Sequence, residues 1–145
     1  MKALVVYYSK TGRTRQMARE IDKYLKEHNL NSKMISVFDI QPEDIAGSDI
    51  ILLGCWTSGL FFILQHPDKT WKECTAGFPD MSGKKVGFFT TYLTATGSMF
   101  RNMHKNLKGK LTGPVTLRLK SRNAKLSDNN KDQIKAFIAT EGNKP

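Results

Sequence analysis

The stretch Leu4–Thr14, "LVVYYSKTGRT", runs from mostly apolar, β-branched or aromatic residues straight into hydroxyls, a glycine and two cations. If a helix starts there, its first N–H groups have no partners of their own and the positive end of its dipole faces outward. Ser9, Lys10, Thr11, Gly12, Arg13 and Thr14 would then converge on a phosphate-sized anion, with Gly12 letting the backbone come close without a Cβ in the way. The same residue types also serve a plain strand-to-helix turn. Neither the ATP-type loop GxxxxGK[ST] nor the dinucleotide fingerprint GxGxxG is present.

Two other clusters join the first. In Gly54–Gly59, "GCWTSG", Trp56 offers a flat apolar surface to a flat aromatic ligand, or else belongs to the core. In Thr91–Ser98, "TYLTATGS", Tyr92 follows an apolar run, and "TGS" also reads as a simple helix N-cap.

Competing chemistries fail on spacing. A low-molecular-weight phosphatase needs arginine six residues after its cysteine, but Phe61 follows Cys55 at that distance and Asp80 follows Cys74. A response regulator wants acids where this chain has "YYSK". The cysteines form no CxxC, and His28, His66 and His104 are dispersed, so neither a metal site nor a disulfide framework is suggested.

The charge is uneven. Met81–Ser127 contains ten Lys and Arg and no acid, whereas the rest of the chain balances 13 cations against 13 acids, so this stretch holds the whole net charge of +10. Such a field attracts anionic partners. Nucleic acid is disfavoured, because no recognised motif and no aromatic interleaving accompany the basic stretch.

The elements that must position these residues can be read from periodicity. Ala3–Tyr8 and Asp49–Gly54 read as buried parallel strands, Lys84–Tyr92 as another apolar strand, and Lys33–Phe38 and Pro114–Leu119 as alternating ones. Met17, Ala18, Ile21, Tyr24 and Leu25 recur at helical spacing between Arg13 and about His28. Further helices are expected around Pro67–Thr75, Ser98–Leu107 and Ser127–Ala139, the last capped by Ser127. Leu60–Leu64, "LFFIL", reads as a short core helix, or as a surface for an apolar acceptor. The pattern predicts one α/β domain over residues 1–145: a doubly wound five-stranded parallel sheet, order 2-1-3-4-5, with helices on both faces. Ligands of such sheets bind beyond the carboxyl ends of the strands where the order reverses, which here joins the three clusters. No apolar run approaches the roughly 20 residues needed to span a bilayer, and the start lacks a small-residue cleavage site, so a cytoplasmic protein is expected.

Ser-x-Thr-Gly-x-Thr after an apolar first strand resembles the FMN-phosphate loop of flavodoxins, and the resemblance runs from Met1 to about residue 140, in the short-chain form. It implies a fold of this order, non-covalent FMN and electron transfer. It implies that Ser9–Thr14 hold the phosphate, that Trp56 packs on the isoalloxazine, and that Tyr92 covers the other face. Thr91, Thr96 and Gly97 belong to the loop that hydrogen-bonds the pyrimidine edge. Thr57, Ser58 and Gly59 complete the second loop, with Gly59 matching the glycine whose peptide turns to accept N5–H of the one-electron-reduced flavin. One departure is that many members stack the residue just before this glycine, which here is Ser58. Another is charge: flavodoxins serving as low-potential carriers are usually acidic around the flavin, whereas this chain has Lys10 and Arg13. The expected partner is an anionic redox protein or small-molecule acceptor. A flavoenzyme acting on an acceptor such as a quinone, and a flavin-free module for a polyanion, are the alternatives.

Overall fold

The structure, a computed structural model, describes residues 1–60, 63–67, 69–93 and 96–140, with 58–60 and 63–67 described by their backbone alone. The run Ala3–Val6 is buried in the first strand, β1 (Lys2–Tyr8), and leads through Ser9–Gly12 into α1 (Arg13–Glu27). There follow β2 (Asn31–Ser36), α2 (Pro42–Ala46), β3 (Ile50–Leu60), β4 (Ile63–Pro67), α3 (Lys69–Ala76), β5 (Lys85–Thr91), α4 (Met99–Asn106), β6 (Leu117–Ser121) and α5 (Asp128–Ala139). The five parallel strands lie in the order β2-β1-β3-β5-β6, which is the expected 2-1-3-4-5 arrangement, and β4 pairs antiparallel with β3 off this path.

Alternation along the strands sends side chains to two cores. Leu4, Val6, Ile51, Leu53 and Phe88 pack with Ile45 of α2, Trp71 of α3 and Met99 and Met103 of α4. Val5, Ile50, Leu52, Phe89 and Leu119 pack with Met17, Ile21 and Leu25 of α1 and Ile134 of α5. Each large side chain so buried contributes about 1.5–3 kcal/mol of transfer free energy, which fixes the helices on both faces. The last helix opens as expected, Asn130 N–H donating to Ser127 Oγ at 3.0 Å.

Two expectations are corrected. The third strand does not stop at Gly54 but continues to Leu60, and "LFFIL" is not a helix: Leu60 closes β3 and Ile63 and Leu64 open β4. Phe61 and Phe62 lie outside the described residues. The reason is pairing, with Thr57 opposite Pro67, Ser58 opposite His66 and Leu60 opposite Ile63. A short apolar run satisfies its backbone equally well either way, and periodicity cannot choose. The single turn α2 has no counterpart among the expected elements. Its cap is reciprocal: Gln41 N–H donates to the Asp44 carboxylate at 2.8 Å, with Pro42 in the first turn. That bond, followed by Lys33 Nζ at 3.2 Å, holds the Asp44 carboxyl below the usual carboxylate range.

Three lysines of the basic stretch close helix ends. Lys84 Nζ donates to the carbonyls of Ala46 and Ser48 at 3.0 and 2.6 Å, after α2. Lys85 Nζ donates to Phe137, Ile138 and Thr140 at the end of α5. Lys110 Nζ donates to Thr75, Ala76 and Phe78 at 3.1, 2.5 and 2.6 Å, at the end of α3. All three stand at the amino ends of the strands, where helix C-termini present unmatched carbonyls and negative dipole ends. Lys110→Met is expected to lower stability by about 1–2 kcal/mol, seen as a lower urea midpoint with an unchanged slope. An unmoved midpoint would show that the ammonium contributes nothing there.

Candidate functional site

At the opposite end of the sheet, β1 stops at Tyr8 and the chain turns through Ser9–Gly12. Gly12 takes a left-handed φ of 91°, and its N–H donates to Ser9 Oγ at 3.0 Å. The first intrahelical bond is Gln16 N–H to the Gly12 carbonyl at 3.0 Å, so the N–H groups of Arg13, Thr14 and Arg15 precede the ladder. No side chain caps this helix, and its first turn carries Arg13 and Arg15 but no acid. By contrast, α5 has its serine cap and α2 its capping box. Cations at the positive end of a helix dipole are unfavourable by about 0.3–1 kcal/mol each. The start of α1 thus works against its own helix and in favour of an external anion.

Thr14 stands apart from its neighbours in the turn. Its side chain is buried, and its hydroxyl lies 2.7 Å from Thr91 Oγ1 at the end of β5. What Thr14 presents outward is its backbone N–H. A second hydroxyl pair lies alongside: Thr90 Oγ1 donates to the Cys55 carbonyl at 2.6 Å and stands 2.8 Å from Thr57 Oγ1. A hydroxyl has one proton, so with Thr90 committed to Cys55, Thr57 is the donor of that pair. Threonines from all three clusters therefore meet above the strand ends.

Trp56 sits opposite Thr91 in the β3–β5 register. It is half-buried against the core, and Lys10 Nζ lies 5.1 Å from the centre of its ring. Its indole Nε1 is buried and has no hydrogen-bond partner among the described residues. Tyr92, also half-buried, donates its N–H to the Ser121 carbonyl at 3.2 Å, and the Arg122 guanidinium carbon lies 5.4 Å from its ring centre. Each aromatic of the site thus has a cation on one face.

Ser58 and Gly59 lie in the extended part of β3, and the β3–β4 register shifts between Ser58 and Leu60, at Gly59. A peptide at such an irregularity is less tightly held than its neighbours in the ladder. The Thr96 carbonyl accepts the Met99 N–H at 2.8 Å and Gly97 has a φ of 46°, so both shape the entry to α4. They make no side-chain hydrogen bond to the first two clusters among the described residues, and Thr94 and Ala95 lie outside those residues. Lys10 and Thr11 are exposed, and Arg13 is half-exposed. Sequence reasoning missed Thr90 and Arg122 as members of the site. Two successive threonines ending an otherwise apolar strand were the available signal for the first; Arg122 was counted only as charge.

A family model described as Flavodoxin matches residues 5–139. The flavodoxin of Megasphaera elsdenii is 33% identical over 93 residues, or 64% of this chain and 66% of that one, so the matched region spans just under two thirds of that relative's length. The solution structure of two-electron reduced Megasphaera elsdenii flavodoxin superposes with a TM-score of 0.73 at 24% identity, covering 95% of this chain and 99% of that one. The crystal structure of a mutant Fusobacterium nucleatum flavodoxin bound to flavin mononucleotide superposes with a TM-score of 0.59 at 18% identity, covering 94% and 92%. With the parallel sheet, the crossover point and the strand-end loops in this arrangement, the chain belongs to the flavodoxin family.

Proposed function

We propose that the protein binds FMN non-covalently and carries electrons between redox partners. The observation that carries the reading is the start of α1: an uncapped helix N-terminus with arginines in its first turn, beside two aromatic side chains at the crossover of the sheet. These residues fit FMN. Backbone N–H groups of Arg13–Arg15, the Thr11 hydroxyl and the charges of Lys10 and Arg13 suit a phosphate dianion, while Trp56 and Tyr92 suit a flat ring. When bound, FMN supplies the one- and two-electron chemistry.

The chain's own residues then position and tune. Thr14–Thr91 and Thr57–Thr90 tie the phosphate end to the ring end, so that the three loops hold one geometry. Thr57, Ser58 and Gly59 form the stretch of β3 that would lie beside the ring, with the β3–β4 register shifting between Ser58 and Leu60. Thr96 and Gly97 shape the third loop. A cytoplasmic location suits the chain, whose Cys55 and Cys74 form no disulfide among the described residues. Among the described residues no helix is long and apolar enough to cross a membrane.

Titration with FMN, followed by quenching of flavin fluorescence, is expected to saturate at one FMN per chain; no quenching at any concentration would sink the reading. Lys10 and Arg122 lie over Trp56 and Tyr92, and the three loops contain no acid. Positive charge favours the anion formed on uptake of the second electron. The second-electron potential is therefore expected to exceed that of an acidic flavodoxin by about 60 mV or more, a tenfold step for a one-electron couple. An equally low value in a potentiometric titration would refute this.

A further inference from the structure

We propose that the carboxyl end of the sheet is a docking surface for a redox partner protein with an acidic face and a small apolar centre, the reverse of a carrier with an acidic rim. This rests on the FMN reading, since the partner would receive its electrons from a flavin held there. Two independent features point to it.

The first is charge. Lys10, Arg15, Arg122 and Lys125 are exposed at this end, with Arg13 half-exposed among them; Lys10, Arg13 and Arg15 face the phosphate, which leaves Arg122 and Lys125, after β6, to face a partner. The ion pairs Lys26–Asp22 at 2.9 Å and Lys33–Asp44 at 3.2 Å lie elsewhere and involve none of Lys10, Arg13 and Arg15. Lys84, Lys85 and Lys110 are tied to helix ends at the other end of the sheet. The basic stretch is thus divided: one part closes helices, and another stands beside the aromatics. Asp39 and Asp128 are the acids on the described segments at this end, the first in the turn after β2 and the second at the start of α5.

The second feature is apolar. Three large apolar residues are conspicuously exposed among the described residues, and two of them stand here: Leu93 at 74%, directly after Tyr92, and Phe38 at 63%, edge-on to Tyr8 with ring centres 5.6 Å apart. In the strand order Leu93, after β5, lies between the cations that follow β1 and those that follow β6, while Phe38 stands at the β2 edge; an apolar side chain among polar ones is the anatomy of a protein–protein contact. A small anion or a nucleic acid backbone would gain from the cations alone and would have no use for Leu93.

The test uses the FMN-loaded protein, reduced with dithionite, and stopped-flow oxidation by two probes: an acidic rubredoxin and the basic cytochrome c. One electron passes to each ferric centre. Between about 0.01 and 0.5 M salt the rate with rubredoxin is expected to fall about tenfold or more, while that with cytochrome c stays level or rises. Arg122→Gln combined with Lys125→Gln is expected to lower the low-salt rubredoxin rate several-fold and flatten its salt dependence, and Leu93→Ser to lower that rate at every salt concentration. Rubredoxin rates indifferent to salt, or slower than those of cytochrome c at low salt, would overturn the charge assignment. Salt dependence without any effect of Leu93→Ser would reduce the surface to a general anion attractor and overturn protein docking. A protein that takes up no FMN would fail before any electron transfer, overturning the functional reading and this one with it; a loaded protein with the wrong ranking overturns this one alone.

Discussion

Changing Arg13 and Arg15 together to glutamate is expected to weaken FMN binding about 100-fold or more while making the flavin-free protein more stable. Both effects come from one place. The first turn of α1 has cations and no cap. Reversing the two charges converts an unfavourable charge–dipole arrangement into a favourable one, by about 1–2 kcal/mol in total. That is a rise of roughly 3–6 °C in the midpoint of thermal unfolding. For the phosphate the sign is opposite. Unit charges about 6 Å apart interact by roughly 3 kcal/mol at an effective dielectric of about 20. Reversing even one cation therefore exceeds the roughly 2.7 kcal/mol that a 100-fold change in Kd represents. A variant that loses affinity and stability together would indicate general damage, and one that keeps its affinity would place the phosphate elsewhere.

The second large effect is steric. Gly54 lies opposite Phe89 in the β3–β5 register, and a Cβ built on it would fall within the Phe89 ring. Phe89 is fully buried and cannot swing out without opening the core shared with α1. Gly54→Ala is therefore expected to lower the unfolding free energy by about 3 kcal/mol, the upper part of the range for overpacked cores, measured by urea denaturation. Because Trp56 is two residues further along the same strand, FMN affinity should fall with it. Phe89→Leu in the Gly54→Ala background should recover part of the stability, since it removes the ring that the new methyl meets. A loss below about 1 kcal/mol in the single variant would mean that the strands separate easily enough to admit a methyl group.

The parallel strands were legible because three are unbroken apolar runs and two alternate, and their order because they alternate with helices joined by right-handed crossovers. Ala3–Val6 has no polar alternation, so it had to be covered on both faces, and Met17, Ile21 and Leu25 supply one of the covers. The β3–β4 ribbon was not legible. Its pairing is between residues on either side of "FF", and nothing in "GCWTSGLFFIL" says whether the polar middle ends a strand or passes through it. The site divides in the same way. The turn Ser9–Gly12 is local, and its glycine and hydroxyls announce it. The Thr14–Thr91 bond joins residues 77 apart in sequence, and only the topology brings them within reach. A threonine that caps, one that touches a ligand and one that pairs with another threonine look alike until the strands are placed. The placing of charge was hidden for a similar reason: the ten cations are plain in the sequence, but only the fold shows that Lys84, Lys85 and Lys110 meet helix ends.

That division of labour among the cations follows residue type. The three that close helices are lysines, whereas Arg13, Arg15 and Arg122 at the other end are arginines, with Lys10 and Lys125 beside them. Acetylation neutralises an amine and leaves a guanidinium untouched. An acylated Lys84, Lys85 or Lys110 would lose its hold on the C-terminal turn of α2, α5 or α3, and an acylated Lys10 the charge over Trp56, while Arg122 over Tyr92 would keep its own. Acylation of the exposed Lys10 and Lys125 would remove two of the five cations at that end and leave Arg13, Arg15 and Arg122 in place.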